Sequence, residues 1–452
     1  MKKKLLLLAL STGFSVLCLA GFDRTLMRLV VSSTRIPTST RMVYKTTEFE
    51  FIADINSDGF RDVEFSEDAP DDGDTIQIAV VGDSFTYGWG VYENDAWPRV
   101  LEKILQARGH HVRVINLGKP GASPKDYADV VSKMIPAVRP EILLVAVLQG
   151  DDLAQLRKQT DQNSAADTGR GVVSYLGLLR AAASRLLRRV MPNTMEYRWS
   201  KLHTQATSLG YVWRKQSSEA IERWNSDQRE RFNGCDATIR RMFMDGDLNP
   251  SLVHIAVTDP RYFLDTWDLN SHHTAALVDS MAEYLSRINN VCVDNKVTPL
   301  VTIVPNGAYV SSKDYDSTAR LGFSLDPEML TSGNADRAVQ MAAAIARVEC
   351  YSVLSEFRLE AARVPLYFVF DGHFNAEGHH LYARLVAKKV EELIQSRKGK
   401  RGNEQYDSIR CSWLHLRFCL GPWWRSSFSG ATYLRHCKRE DCGHDRHFSS
   451  RP

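Results

Sequence analysis

Three short apolar runs, each ending in a polar turn that carries glycine, constrain this chain more than any other feature. Ile76-Gln77-Ile78-Ala79-Val80-Val81 stops at Gly82-Asp83-Ser84. Val112-Arg113-Val114-Ile115-Asn116-Leu117 stops at Gly118-Lys119-Pro120-Gly121. Ile142-Leu143-Leu144-Val145-Ala146-Val147-Leu148 runs into Gln149-Gly150-Asp151-Asp152. Runs of this length and β-branched content read as buried strands. Helical patterns lie between them. Before the second run, Asp95 is a candidate N-cap, Pro98 suits a first turn, and Val100, Leu101, Ile104 and Leu105 form an apolar stripe ending near Gly109. Before the third, Tyr127, Val130, Val131 and Met134 recur at helical spacing from Pro124 to Val138. Strand, helix, strand, helix, strand implies parallel strands joined by right-handed crossovers. The three turns then share the sheet edge at which open α/β sheets bind ligands.

A fourth segment completes a chemistry. Phe370-Asp371-Gly372-His373-Phe374-Asn375 precedes a last helix in which Leu381, Leu385, Val386, Val390 and Leu393 recur. Serine, histidine and carboxylate are the parts of a nucleophilic acyl-transfer site. Histidine takes the serine proton, and the carboxylate fixes the tautomer and stabilises the imidazolium. Ser84, His373 and Asp371 are the candidates.

On these four ordered blocks the chain resembles the SGNH, or GDSL-type, hydrolases. The resemblance covers roughly residues 50 to 395, with a large unmatched middle, and includes Asn56-Ser57-Asp58-Gly59-Phe60-Arg61 ahead of the serine block. It implies a three-layer α/β/α sandwich with a mostly parallel sheet, flavodoxin-like, plus a helical insertion at about 155–250. It also implies an oxyanion hole drawn from Ser84, Gly121 and the position of Asp151. No metal or organic cofactor is expected.

Two positions depart from the family pattern. The last block is Asp-x-His, where Asp-x-x-His is commoner, so its loop is one residue shorter. The third block has Asp151 where the family has Asn. An ionised carboxylate only accepts hydrogen bonds. Losing one oxyanion donor typically costs ~2.7–4 kcal/mol. Three outcomes stay open: Asp151 is protonated, it turns away, or Gln149 supplies the amide.

The N-terminus sets location. Lys2, Lys3 and Lys4 precede a mostly apolar run to Phe22, which reads as a signal peptide or membrane anchor with the enzyme outside. The expected location is periplasmic, or anchored to the inner membrane facing outward. A formal net charge of +3 is too small to suggest nucleic acid as a partner. Cys235, Cys292 and Cys350 lie in the body; export permits a disulfide, and separate buried thiols fit equally well.

The remaining organisation is coarser. Residues 23–75 read as a polar stalk over 23–45, a short strand at Phe49-Glu50-Phe51-Ile52 and an acidic loop at 66–75. The hydrolase domain spans 76–397. The insertion has helical stretches at 176–190 and 217–241 and is a candidate lid or substrate wall, or equally a structural excursion. A helix at 273–291, a strand at 300–304 and a helix at 335–348 follow, with Pro305 and Asn306 at the strand's carboxyl end. Residues 398–452 read as a disordered basic tail. Its Cys411, Cys419, Cys437 and Cys442, with His436, His444 and His447, fit no common zinc spacing. Asp54 to Gly59 begins like a calcium loop, but its twelfth position is Phe65, so a turn is favoured. His379 and His380 are expected as ordinary polar positions on the last helix.

The expected function is ester hydrolysis through an acyl-enzyme, on an acyl or acetyl ester of an envelope glycan or lipid. An O-acyltransferase on envelope polysaccharide and a non-catalytic glycan-binding relative are the alternatives.

Overall fold

The computed structural model describes residues 11, 18–27, 40–65, 75–157, 191 and 209–419. Most of the apolar leader, the 176–190 stretch and the end of the tail lie outside the described residues. The chain divides into two units, Met1–Val390 and Glu391–Pro452.

In the first unit, β1 (Thr40–Lys45) pairs antiparallel with β2 (Glu50–Ile55). This corrects the stalk expected over 23–45: residues 40–45 form half of a hairpin, and Asp23–Met27 forms a short helical turn. Alternation puts Phe51 and Ala53 in a small aromatic core with Phe49 and Tyr87.

Next come β3 (Ile76–Val81), α1 (Ser84–Tyr87), α2 (Trp97–Ala107), β4 (Val112–Asn116), α3 (Pro124–Val138) and β5 (Ile142–Leu148). The helix α2 does not use Asp95 as its cap. Pro98 occupies its second position, so Ala96 is the N-cap. Asp95 belongs to a preceding 3₁₀ turn and binds His380 at 3.0 Å. The helix α3 opens with a capping box between Ser123 and Asp126.

The described part of the insertion forms α4 (Leu209–Arg223), α5 (Ser226–Gly234), α6 (Ala237–Asp245) and α7 (Pro250–Thr258). Asn225 and Asp236 cap α5 and α6, dividing the stretch expected at 217–241 into separate helices. The chain continues through α8 (His272–Asp294), β6 (Thr298–Val304), α9 (Ser312–Arg320), α10 (Asn334–Ile345), β7 (Glu349–Tyr351), α11 (Leu354–Ala361) and α12 (Ala376–Cys419). The helix α12 runs through the basic stretch 396–402, where a linker was expected, and the second unit begins within it.

The strands β4-β3-β5-β6-β7 lie in that order in one parallel sheet. Ala79, Val81, Leu143, Val145 and Val147 face a core with Val131 of α3, Met281 of α8 and Val339 of α10. Their alternates Ile78, Val80, Leu144 and Ala146 are equally buried, as a strand covered on both faces requires. Trp97 of α2 meets Tyr382 of α12 with ring centroids 5.1 Å apart. These are the three layers expected. The strand order reverses between β3 and β5, which is where such a sheet opens a crevice at its carboxyl edge. Cys235, Cys292 and Cys350 are free thiols, and burial pushes Cys292 and Cys350 up to about 12.

Candidate active site

Ser84 follows β3 at the start of α1 and is half-buried. Asp83 is the cap: its carboxylate accepts the Phe85 N–H at 2.9 Å. The turn after β4 closes over this helix. A Cβ on Gly118 would come within 2.4 Å of the Tyr87 nitrogen, so only glycine lets the two backbones meet.

His373 and Asp371 arrive from a loop that folds back on itself. The Phe368 N–H donates to the His373 carbonyl at 2.9 Å, and Tyr367 bridges Phe374. Gly372 takes φ 76° between the two functional residues, a left-handed turn that glycine adopts without strain. The loop sets His373 Nε2 2.7 Å from Ser84 Oγ and His373 Nδ1 2.5 Å from Asp371 Oδ1. Phe85 and Trp89 flank the imidazole, with centroids 4.8 and 6.0 Å away.

Electrostatics favour a basic histidine. Burial works against the imidazolium. The Asp371 charge and hydrogen bond outweigh it, and with Asp83 and Asp151 they hold His373 above its ordinary value. Behind the serine, burial and the charge of Asp151 push Asp83 up to about 7. Burial, then the Asp83 and Asp151 charges, push Asp152 well up too. Asp152 accepts the Leu148 N–H at 2.9 Å and the Tyr127 hydroxyl at 3.0 Å, tying the third block to α3.

Ser84, Gly121, Asp151, Asp371 and His373 line one cavity of about 510 Å³. Asp151 Oδ1 accepts the Tyr262 hydroxyl at 3.0 Å, and Oδ2 accepts from Gln155 Nε2 at 2.5 Å. Both carboxylate oxygens therefore face donors. Gln149 does not replace the missing amide. It is buried, its Nε2 donates to Asp336 at 2.6 Å, and its Oε1 accepts the Asn306 N–H at 3.1 Å. Asn306 does line the cavity, as does α7 of the insertion through Leu252 and Ile255. Among the described residues no group of three or more His, Cys, Asp or Glu could hold a metal.

The structure also gives roles to two residues that the sequence reading left without one. Arg61 is buried and donates to the carbonyls of Gly88 (2.6 Å), Val91 (2.9 Å) and Ile52 (2.8 Å), holding the loop after α1. Its position in Asn56-Ser57-Asp58-Gly59-Phe60-Arg61 was the available signal. His379, expected as an ordinary polar position, is fully buried and accepts the Trp97 N–H at 3.3 Å; burial drives it well below its usual value.

Residues 80–252 match the model of the GDSL-like Lipase/Acylhydrolase family. Over those residues the chain is similar to that family. It is a carboxylic ester hydrolase with the α/β fold that the serine block implies. No curated protein matches its sequence. Solved structures with some likeness include a lipase/acylhydrolase from Enterococcus faecalis, at 12% identity and TM-score 0.34, covering 70% of this chain and 96% of that one. Another is a psychrotrophic esterase, EstA, from Pseudoalteromonas sp., at 8% identity and TM-score 0.33, covering 71% and 98%. A third is an acetyl xylan esterase, AlAXEase, at 12% identity and TM-score 0.32, covering 70% and 100%. Among the described residues of the hydrolase, no helix is long and apolar enough to cross a membrane.

Proposed function

We propose that this hydrolase cleaves its ester through a covalent acyl-enzyme on Ser84, and that it does so outside the inner membrane on an acyl or acetyl ester of an envelope glycan or lipid. The observation that carries the mechanism is the hydrogen-bonded line from Ser84 Oγ through His373 to Asp371, at 2.7 and 2.5 Å.

The steps follow from that line. His373 Nε2 takes the Ser84 proton as Oγ attacks the ester carbon. The backbone N–H groups of Ser84 and Gly121 receive the oxyanion. The imidazolium then protonates the leaving alkoxide as the C–O bond breaks. Water repeats the sequence with His373 as base, releasing the acid and restoring Ser84. Asp371 stabilises the imidazolium in both halves.

The cavity supports a neutral, partly apolar substrate. Phe85, Trp89, Phe263, Phe323 and Phe368 line it, Asn249 and Asn306 add amides, and no Lys or Arg lines it among the described residues. The leader's lysines and apolar run support the outward location.

Two experiments test the proposal. Turnover of p-nitrophenyl acetate should fall about 10⁴-fold or more in folded Ser84→Ala, leaving the rate that binding and oxyanion donors supply. Substantial Ser84→Ala turnover would falsify the nucleophile. A phosphatase reporter fused after residue 397 should be active. An inactive phosphatase beside an active cytoplasmic reporter would overturn the location.

A further inference from the structure

A carboxylate that reaches the Asp371 loop lies outside every block named above. Thr46-Thr47-Glu48-Phe49 is the tip of the β1–β2 hairpin, since the register pairs Lys45 with Glu50. Thr46 locks this tip. Its hydroxyl oxygen accepts the N–H groups of Glu48 and Phe49, both at 3.1 Å, and its own N–H donates to the Phe49 carbonyl at 2.9 Å. The Glu48 carboxylate then reaches the acid-bearing loop. Its Oε2 accepts the Asp371 N–H at 2.8 Å, and its two oxygens accept the Phe370 N–H at 3.1 and 3.2 Å.

Those two N–H groups sit at a sharp turn before Gly372, where backbone donors need an acceptor. A carboxylate receiving two N–H groups makes charge-assisted bonds, about twice as strong as neutral ones. The hairpin is itself anchored beside the site. Phe49 meets Phe368 at 5.0 Å, and Phe51 meets Trp89 at 5.6 Å. Burial and the neighbouring Asp371 charge act against the ionised Glu48, and the backbone donors act for it.

We propose that Glu48 is a positioning residue for the triad: it fixes the Asp371 backbone so that the carboxylate stays in register with His373 Nδ1. The inference rests on the acyl-enzyme reading of the same site. Glu48 lies before the family-matched residues 80–252, so that match does not assign it.

The test compares wild type, Glu48→Ala and Glu48→Gln on p-nitrophenyl acetate across pH, with melting temperature and fluorophosphonate titre recorded for each. A misplacement near 1 Å can cost roughly 10²-fold, so kcat of Glu48→Ala should fall about 10- to 100-fold with KM within about twofold. The acid limb of kcat/KM should also move to lower pH, because a loosened Asp371 supports the imidazolium less. Asp371 and Asp83 raise His373, as does Asp151 after β5, while burial keeps the neighbouring His379 on α12 neutral and Glu48 stands beyond Asp371. Glu48→Gln keeps one acceptor oxygen and should recover much of kcat; it also decides the matter if Glu48→Ala does not fold, by a smaller fall with the same shift of limb.

A rate within about twofold of wild type, with the acid limb unmoved, overturns the proposal. So does a loss that follows only the titre or the melting temperature. If wild type shows no Ser84-dependent turnover, the acyl-enzyme reading fails and this inference falls with it. Wild-type turnover untouched by either Glu48 variant overturns this inference alone.

Discussion

The two sides of the Ser84 hydroxyl are built differently. On the histidine side the line is closed: 2.7 Å from Ser84 to His373 and 2.5 Å from His373 to Asp371. Backbone bonds and Glu48 brace it from behind. On the side of the third block a carboxylate, Asp151, stands where the family pattern has an amide, and both its oxygens accept from Tyr262 and Gln155. The proton-transfer side is therefore complete in side chains. The proposed oxyanion side draws on backbone N–H groups. Proton transfer needs a base in contact with the nucleophile, and His373 Nε2 lies 2.7 Å from Ser84 Oγ. Charge stabilisation needs donors, and here a side chain that cannot donate lines the same cavity.

Disabling the complete side should have the largest effect. Asp371→Asn keeps the size of the side chain but removes the charge that holds the His373 tautomer, so kcat should fall by about 10⁴. Steady-state kinetics on an activated ester checks this, and a fall below tenfold would show that Asp371 does not orient His373.

Repairing the weaker side should have the next largest effect, in the opposite direction. Asp151→Asn removes a negative charge and offers a donor, so turnover at neutral pH should rise, by up to about 10²-fold. An unchanged or lower rate would mean that the oxyanion forms away from residue 151.

The pH dependence carries a smaller signal. His373 acts as base only when neutral, and its pKa lies above the ordinary 6.5. Activity is therefore full above that raised pKa and is lost as pH falls through it. The acid limb of kcat/KM should sit above 6.5 and move down in Asp151→Asn, which removes one of the charges favouring the imidazolium. A limb that moves up would contradict the assignment of cause.

The smallest expected effect is from truncation. Removing residues after 397 leaves β1 to β7 and every cavity-lining residue in place, so melting temperature should change by no more than about 4 °C, the equivalent of roughly 1 kcal/mol. Differential scanning calorimetry of the full and shortened chains decides it.

What could be read from the sequence divides along similar lines. Apolar runs and their terminating turns are local signals, so four of the sheet's five strands, Ser84 and the Asp371–His373 loop were legible; the three-residue β7, Glu349–Tyr351, was not. Partners far apart in sequence were not. Asp151 is held by Tyr262, 111 residues on, and Glu48 binds a loop more than 300 residues away. The end of the stalk expected over 23–45 was misread because Thr40-Arg41-Met42-Val43-Tyr44-Lys45 is polar at both ends and pairs only through β2. Asp95 was a sound cap by residue type, but Pro98 moved the helix start past it. His379 looked polar in a helical pattern, and only the fold shows that the Trp97 N–H needs it as an acceptor. Of the insertion expected at about 155–250, as a wall or as a structural excursion, Gln155 and Asn249 line the cavity, and Leu252 and Ile255 follow just past its expected end.

Covalent labelling with a fluorophosphonate probe addresses the nucleophile without assuming a substrate. Intact mass and peptide mapping should give one adduct on Ser84 in the wild type, none in Ser84→Ala, and greatly slowed labelling in His373→Ala, because the hydroxyl needs its base. A folded wild type that forms no adduct, or forms it on another residue, would contradict the assignment of Ser84, His373 and Asp371 as the working triad.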